Sequence, residues 1–165
     1  MGPDYFTLDI LFTTVRKVRP QVVLEIGSGW STLIIAEALR QNGFGHLYSL
    51  DEDEAWANTT RAALPAGAAC TVSYVPATEF ESDGGCAVRH TLPVTNPDIV
   101  FIDHHGRCIC YDPVDLYEGG ARPLVLVDKK ASTTAYLARR LPCTLEVVRG
   151  IVDQTALVNV LRPRA

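Results

Sequence analysis

The chain has 165 residues, enough for one domain with a sizeable core and little besides. Hydrophobic residues make up 47% and charged residues 21%, as in an ordinary globular protein, and no apolar run reaches the length of a membrane span. A formal net charge of −4 gives no field that favours nucleic acid or an anionic membrane, so neither is an expected partner.

The N-terminus, Met1-Gly2-Pro3-Asp4-Tyr5-Phe6, lacks a basic n-region and reads as mature sequence; Phe6 stands where myristoylation wants Ser or Thr. Five cysteines (Cys70, Cys86, Cys108, Cys110, Cys143) without a scaffold-like spacing read as reduced thiols of a cytoplasmic protein. Residues 4–18 place Leu8, Leu11, Phe12, Val15 and Val18 at helical spacing before Pro20, which predicts an amphipathic helix packed on a sheet. Val22–Ile26 is a β-branched apolar run and the first predicted strand. Gly27-Ser28-Gly29 then makes a tight turn into a helix from about Ser31 to Gln41, stopped by Asn42-Gly43. The glycines let the backbone approach a ligand closely, and the helix turns its free N–H groups to the same place.

A second strand, His46–Leu50, ends in Asp51. Acids at 51–54 then open a helix that Pro65 limits, and Cys70–Val75 is the third strand. Residues 76–97 carry Pro76, Gly84-Gly85, Pro93 and Pro97 without a helical period. They read as loop, with the crossover helix reduced to a turn near Thr78–Phe80 and Ala87–Leu92 as a short extra strand or loop. Asp98–Ile102 is strand four, ending in Asp103. A short helix near Pro113–Glu118, strand five (Pro123–Val127, ending in Asp128) and a helix over 132–141 follow. Thr144–Val152 and Ala156–Leu161 flank Asp153-Gln154-Thr155 as a hairpin. Strands apolar on both faces, alternating with helices, predict a doubly wound, mostly parallel α/β sheet of about seven strands with an antiparallel end, all in one domain.

In such a sheet ligands sit outside the carboxyl ends of the strands, at the point where strand order reverses. The residues at those ends are Gly27, Asp51, Asp103 and Asp128, so a glycine loop and three carboxylates converge on one rim. Asp51 follows the glycine loop by about the twenty residues expected of an acid that binds ribose hydroxyls; its bland alternative is to cap the next helix, which Asp53 can do equally well. Glu25 has a bland alternative of its own, a strand-end acid paired with a neighbouring Lys or Arg. His104 and His105 have the intrinsic pKa of a general base, against the commoner use of such residues in capping backbone groups. His104-His105-x-x-Cys108-x-Cys110 has zinc-ligand chemistry at a spacing tighter than the usual pairs. Trp30 and Tyr111 flank the rim, as pocket lining or as packing. Lys129-Lys130, Arg139-Arg140, Arg162 and Arg164 read as a solvated basic face.

Glu25-x-Gly27-x-Gly29 resembles motif I of the Rossmann-like, S-adenosylmethionine-dependent methyltransferases, and the terminal hairpin resembles that family's antiparallel last strand. The likeness spans roughly residues 20–162, with 1–19 as an added helix. It implies a donor site of Glu25, Gly27, Ser28, Gly29, Trp30, Ser31, Thr32, Asp51, Glu52, Thr78 and Asp103, with S-adenosylhomocysteine as product. Asp98–Asp103 followed by His104 resembles motif IV of the catechol O-methyltransferase-like enzymes, which implies catalytic roles for Asp103, His104 and His105 and a Mg²⁺ held by Asp103 and Asp128. Two departures weigh against the metal: Lys129 replaces an amide ligand, and Gly106 replaces the family's lysine base. The function so implied is methyl transfer to an oxygen or nitrogen of a small molecule. The alternatives are a binder of the donor without transfer and an NAD-binding oxidoreductase, the latter opposed by Thr32 in place of a third glycine. With no inserted cap domain, the site is expected to be open, covered by residues 1–18 and 76–97, or completed by a second subunit in a homodimer.

Overall fold

A computed structural model describes residues 5–104, 106–149 and 156–164. The elements run α1 (Tyr5–Val18), β1 (Val22–Ile26), α2 (Trp30–Asn42), β2 (His46–Asp51), α3 (Glu54–Ala63), β3 (Cys70–Tyr74), β4 (Thr78–Ser82) and β5 (Gly85–Arg89). They continue with β6 (Ile99–Ile102), β7 (Ile109–Cys110), α4 (Asp112–Glu118), β8 (Leu124–Asp128), α5 (Ala131–Arg140), β9 (Cys143–Arg149) and β10 (Ala156–Pro163). The main sheet has seven strands in the order β3-β2-β1-β6-β8-β10-β9, with β10 inserted antiparallel between β8 and β9. The predicted turn at 153–155 lies outside the described residues.

Side-chain alternation divides the core between two helix layers. Ile99 and Phe101 of β6 and Leu124 and Leu126 of β8 face Leu11 and Val15 of α1 and Ile35 and Leu39 of α2. Val100, Ile102, Val125 and Val127, one residue along, face Val114 and Leu116 of α4 and Leu137 of α5. The central strands β6 and β8 are buried throughout, which is why they read as unbroken apolar runs. Gly43 closes α2 in the left-handed conformation, and Asp53 caps α3 by accepting from Trp56 N at 3.0 Å. Among the described residues no helix is long and apolar enough to cross a membrane.

Two expectations are corrected here. Residues 76–97 are not loop throughout: β4 and β5 form an antiparallel hairpin, and β5 pairs in parallel with the two-residue β7 to make a second sheet. Asp83 and Gly84 make the turn. Gly84 is forced, since a Cβ there would run into the Tyr136 ring, while Tyr136 Oη donates to Asp83 Oδ1 at 2.5 Å. Tyr111 packs within this sheet's aromatic cluster, edge-on to Phe80, with the Arg89 guanidinium over both rings.

Nor are all five cysteines reduced. Cys86 of β5 is bonded to Cys108, 22 residues on, and only Cys70, Cys110 and Cys143 are free. The bridge ties the hairpin to the segment that follows β6. Closing a loop of this length stabilises the fold by about 3 kcal/mol through the unfolded chain. Urea unfolding with and without a dithiol reductant should therefore differ by about that amount, and the difference should vanish in Cys86→Ser.

Candidate active site

The glycine loop is built by contacts that demand glycine. Gly27 has φ +97°, and its N–H donates to Leu50 O at 2.8 Å. A Cβ on Gly27 would lie 2.6 Å from the Asp103 carbonyl oxygen and 2.7 Å from its carbon, so β1 and β6 end in backbone contact. Ser28 turns the loop onto β2: its N–H and its hydroxyl both donate to Asp51 Oδ2, at 2.8 and 2.7 Å. Asp51 Oδ1 accepts from Asp53 N at 2.9 Å, which leaves this carboxylate one further acceptor position among the described residues. The helix-capping role belongs to Asp53, so Asp51 holds the loop and faces the cleft.

Glu25 lies beneath the loop, fully buried. Gly29 N–H donates to Thr32 Oγ1 at 2.8 Å, and that hydroxyl donates on to Glu25 Oε2 at 2.6 Å; Ser49 Oγ donates to the same oxygen at 2.6 Å. A short relay thus runs from the loop backbone into the core. Burial pushes the Glu25 carboxyl up to about 7, with the hydroxyls of Ser31, Ser49 and Thr32 pulling it down and the nearby Asp51 charge adding to the rise. Glu25 Oε1 has no hydrogen-bond partner among the described residues. Among the described residues Glu25 is bonded to hydroxyls, not to a lysine or arginine.

Across the loop, Asp103 and His104 follow the end of β6, and their properties invert the intrinsic order. Burial, then the Asp128 and Glu25 carboxylates, raise Asp103 to about 7, against Lys130. Burial and the Lys130 charge lower buried His104 to about 4, so its imidazole is neutral at physiological pH. Neither His104 nitrogen has a partner among the described residues. Asp128, at the end of β8, is buried and accepts from Thr7 Oγ1 at 3.3 Å, which seats α1 on the acidic rim. Lys129, next along, has φ +50°. His105 lies outside the described residues.

Beside them lies a cleft of about 220 Å³ lined by Ile26, Gly27, Leu50, Asp51, Glu52, Asp53, His90 and His104; Asp103 and Asp128 are not among its lining residues. It lies at the carboxyl ends of β1, β2 and β6, where strand order reverses from β2-β1 to β6-β8. Of the donor residues expected from sequence, Gly27, Asp51 and Glu52 line it, while Ser28, Gly29, Ser31, Thr32 and Glu25 form the loop and the layer below. Trp30 begins α2 with its ring two-thirds exposed, and Thr78 stands in the exposed part of β4, outside the cleft lining.

The His/Cys zinc cluster that the tight spacing disfavoured is not assembled: Cys108 is bonded to Cys86, and Cys110 is buried with its thiol on Asp112 Oδ2 at 3.2 Å. Glu79, Cys86 and Cys108 are the one triad of ligand types brought together among the described residues, and its two sulfurs are already joined. Sequence reasoning missed His90. Its backbone N–H donates to Asp112 Oδ1 at 2.8 Å, its Nδ1 lies 2.8 Å from Asp112 Oδ2, and its Nε2 lies 3.1 Å from Glu52 Oε1. Burial opposes its charge, but the hydrogen bonds to Asp112 and Glu52 outweigh it and hold the imidazole at about 9. The signal available was the histidine itself, inside a stretch that reads as loop.

A parallel sheet with one inserted antiparallel strand, a glycine loop over a buried acid, and an acid at the end of the second strand define a Rossmann-like methyltransferase of class I. Residues 24–161 match the family described as "Methyltransferase domain", and the chain belongs to it. Among solved structures, the O-methyltransferase TomG from Streptomyces achromogenes, involved in tomaymycin synthesis and crystallised with SAM, superposes with a TM-score of 0.64 at 16% identity, over 97% of this chain and 80% of that one. The O-methyltransferase from Bacillus cereus, in complex with SAH, gives a TM-score of 0.63 at 14% identity over 97% and 81%. No curated protein matches the sequence.

Proposed function

We propose that the chain transfers the methyl group of S-adenosylmethionine to an oxygen or nitrogen of a small molecule. One observation carries this reading: Ser28 clasps Asp51 beneath a cleft at the strand-order reversal, with Asp103 in backbone contact at the loop's far side. The residues fit the donor. Asp51 keeps an acceptor position for a ribose hydroxyl, and Glu25 holds the glycine loop from below through Thr32. The bound donor supplies an electrophilic methyl carbon on a sulfonium. The protein's part is to align the acceptor and remove its proton. Asp103, raised to about 7 by burial and by its acidic neighbours, is the base of this reading, and His104, at about 4, is a neutral hydrogen-bonding wall.

Three features weigh against a divalent ion at the same rim. Asp128 accepts from Thr7, the next residue is an ammonium, and hard cations need several oxygen ligands. The transfer is therefore written without metal. Cytoplasmic placement, expected from free thiols, loses that support where Cys86 is bridged to Cys108. A homodimer stays a proposal, its test the mass in solution.

Titration with S-adenosylmethionine, S-adenosylhomocysteine and NAD should give binding of the first two alone. Transfer of labelled methyl into a metabolite pool should proceed equally with EDTA. Binding without transfer would make the chain a donor-binding module, and tight binding of NAD alone would overturn the reading. Asp51→Ala should weaken S-adenosylhomocysteine binding by about tenfold or more, since it removes a charged acceptor and releases Ser28; calorimetric titration measures it.

A further inference from the structure

We propose that His90, clamped between Asp112 and Glu52, is a positioning residue of the donor cleft that fixes Glu52 in the wall beside Asp51. The inference rests on the donor-site reading above. Three elements meet at this side chain. His90 leaves the end of β5, Asp112 opens α4, and Glu52 follows the end of β2.

Asp112 is fully buried and grips His90 at two points, the backbone N–H and ring Nδ1, both at 2.8 Å. Two bonds from one carboxylate fix both the chain direction and the ring plane. Nε2 therefore points one way, to Glu52 Oε1 at 3.1 Å. A buried carboxylate costs too much without a compensating charge, and an imidazolium supplies it. The other groups around the ring are the Cys110 thiol from β7, which donates to Asp112, and His104 from the end of β6, which shares the cleft wall. With His104 neutral, the ring's charged partners are the two carboxylates.

The consequence reaches the cleft through the chain. Glu52 directly follows Asp51, whose carboxylate braces the Ser28 turn, so the side chain that holds Glu52 also steadies the peptide carrying Asp51. The second sheet thereby acts on donor affinity through one hydrogen bond. Its effect falls on binding rather than on the chemical step.

The test uses His90→Gln, Glu52→Gln and the double variant of the full chain, with S-adenosylhomocysteine as probe. Each single change should weaken binding about tenfold, and the double should be no weaker than either single. The loss should appear in KM for the donor, with kcat at saturation moving less than about threefold. In NMR titrations the wild-type His90 ring should hold its proton past pH 8 and lose it through about 9, and Glu52→Gln should lower that midpoint. Wild-type affinity in His90→Gln, additive losses in the double variant, or an unmoved midpoint each overturn the proposal. If His90→Gln fails to fold, Glu52→Gln and the titration decide alone. Wild-type protein that binds no S-adenosylhomocysteine sinks the donor-site reading instead, while the titration still judges the clamp.

Discussion

Asp103→Asn is expected to lower kcat by about 10²- to 10⁴-fold while leaving S-adenosylhomocysteine affinity within about threefold, because the change removes a proton acceptor and keeps the side chain's shape. The residue's position argues for so large an effect. Its backbone carbonyl meets Gly27, so the residue stands where β1 and the segment after β6 come together at the donor loop. The pH profile gives an independent check. A base must be ionised to act, so wild-type kcat should fall as pH drops through about 7, the value to which burial, Asp128 and Glu25 bring this carboxyl. The Asn variant should show no such fall near 7.

Stability should move the opposite way. A carboxyl held at about 7 in the folded chain, against an ordinary 3.8, contributes stability below pH 3.8 that is lost as pH rises through 7. Above that pH the native protein bears the cost of an ionised, half-buried Asp103. Discounted for partial solvation, relief of that cost should make Asp103→Asn more stable at pH 8 by on the order of 2 kcal/mol. A less active and more stable variant is the signature of a residue kept for chemistry. A variant with near wild-type kcat would remove Asp103 from the proton transfer altogether.

The sequence makes the frame of this fold readable because its central strands are buried on both faces. Val22–Ile26, Ile99–Ile102 and Leu124–Asp128 are nearly unbroken apolar runs that lead to the rim residues Gly27, Asp103 and Asp128. Asp51 was legible too, since Asp53 stood ready for the capping duty that competed with it. The β4–β5 hairpin was not. Thr78-Glu79-Phe80-Glu81-Ser82 is half exposed, so its alternation carries little hydrophobic contrast, and the surrounding prolines and glycines read as breakers. Everything that depends on that hairpin was hidden with it. Cys86 meets Cys108 and His90 meets Asp112 across 22 residues each, contacts made by the pairing of β5 with β7. The inverted proton affinities of Asp103 and His104 were equally out of reach, because burial and neighbouring charge set them and residue type does not.

Gly27→Ala should be the most damaging single methyl that can be added to the loop. Two costs combine. A side chain at φ +97° is strained by roughly 1–2 kcal/mol wherever it occurs. At Gly27 the new Cβ also lands 2.6 Å from the Asp103 carbonyl oxygen and 3.0 Å from His104 N, backbone that can yield only by moving the end of β6. Overpacking of this kind costs a further 1–3 kcal/mol or so, giving about 2–5 kcal/mol in all. Gly43→Ala separates the two. Gly43 has φ +80° with nothing within 4 Å of its would-be Cβ, so it should show the conformational cost alone. Urea unfolding of the pair should place Gly27→Ala lower by at least about 1 kcal/mol. Only Gly27→Ala should also lose turnover, because the same displacement shifts Asp103 off the loop and His104 out of the cleft wall. Equal losses in the two variants would mean that β1 and β6 do not meet at this point, and Asp103 would then have no structural claim to the donor loop.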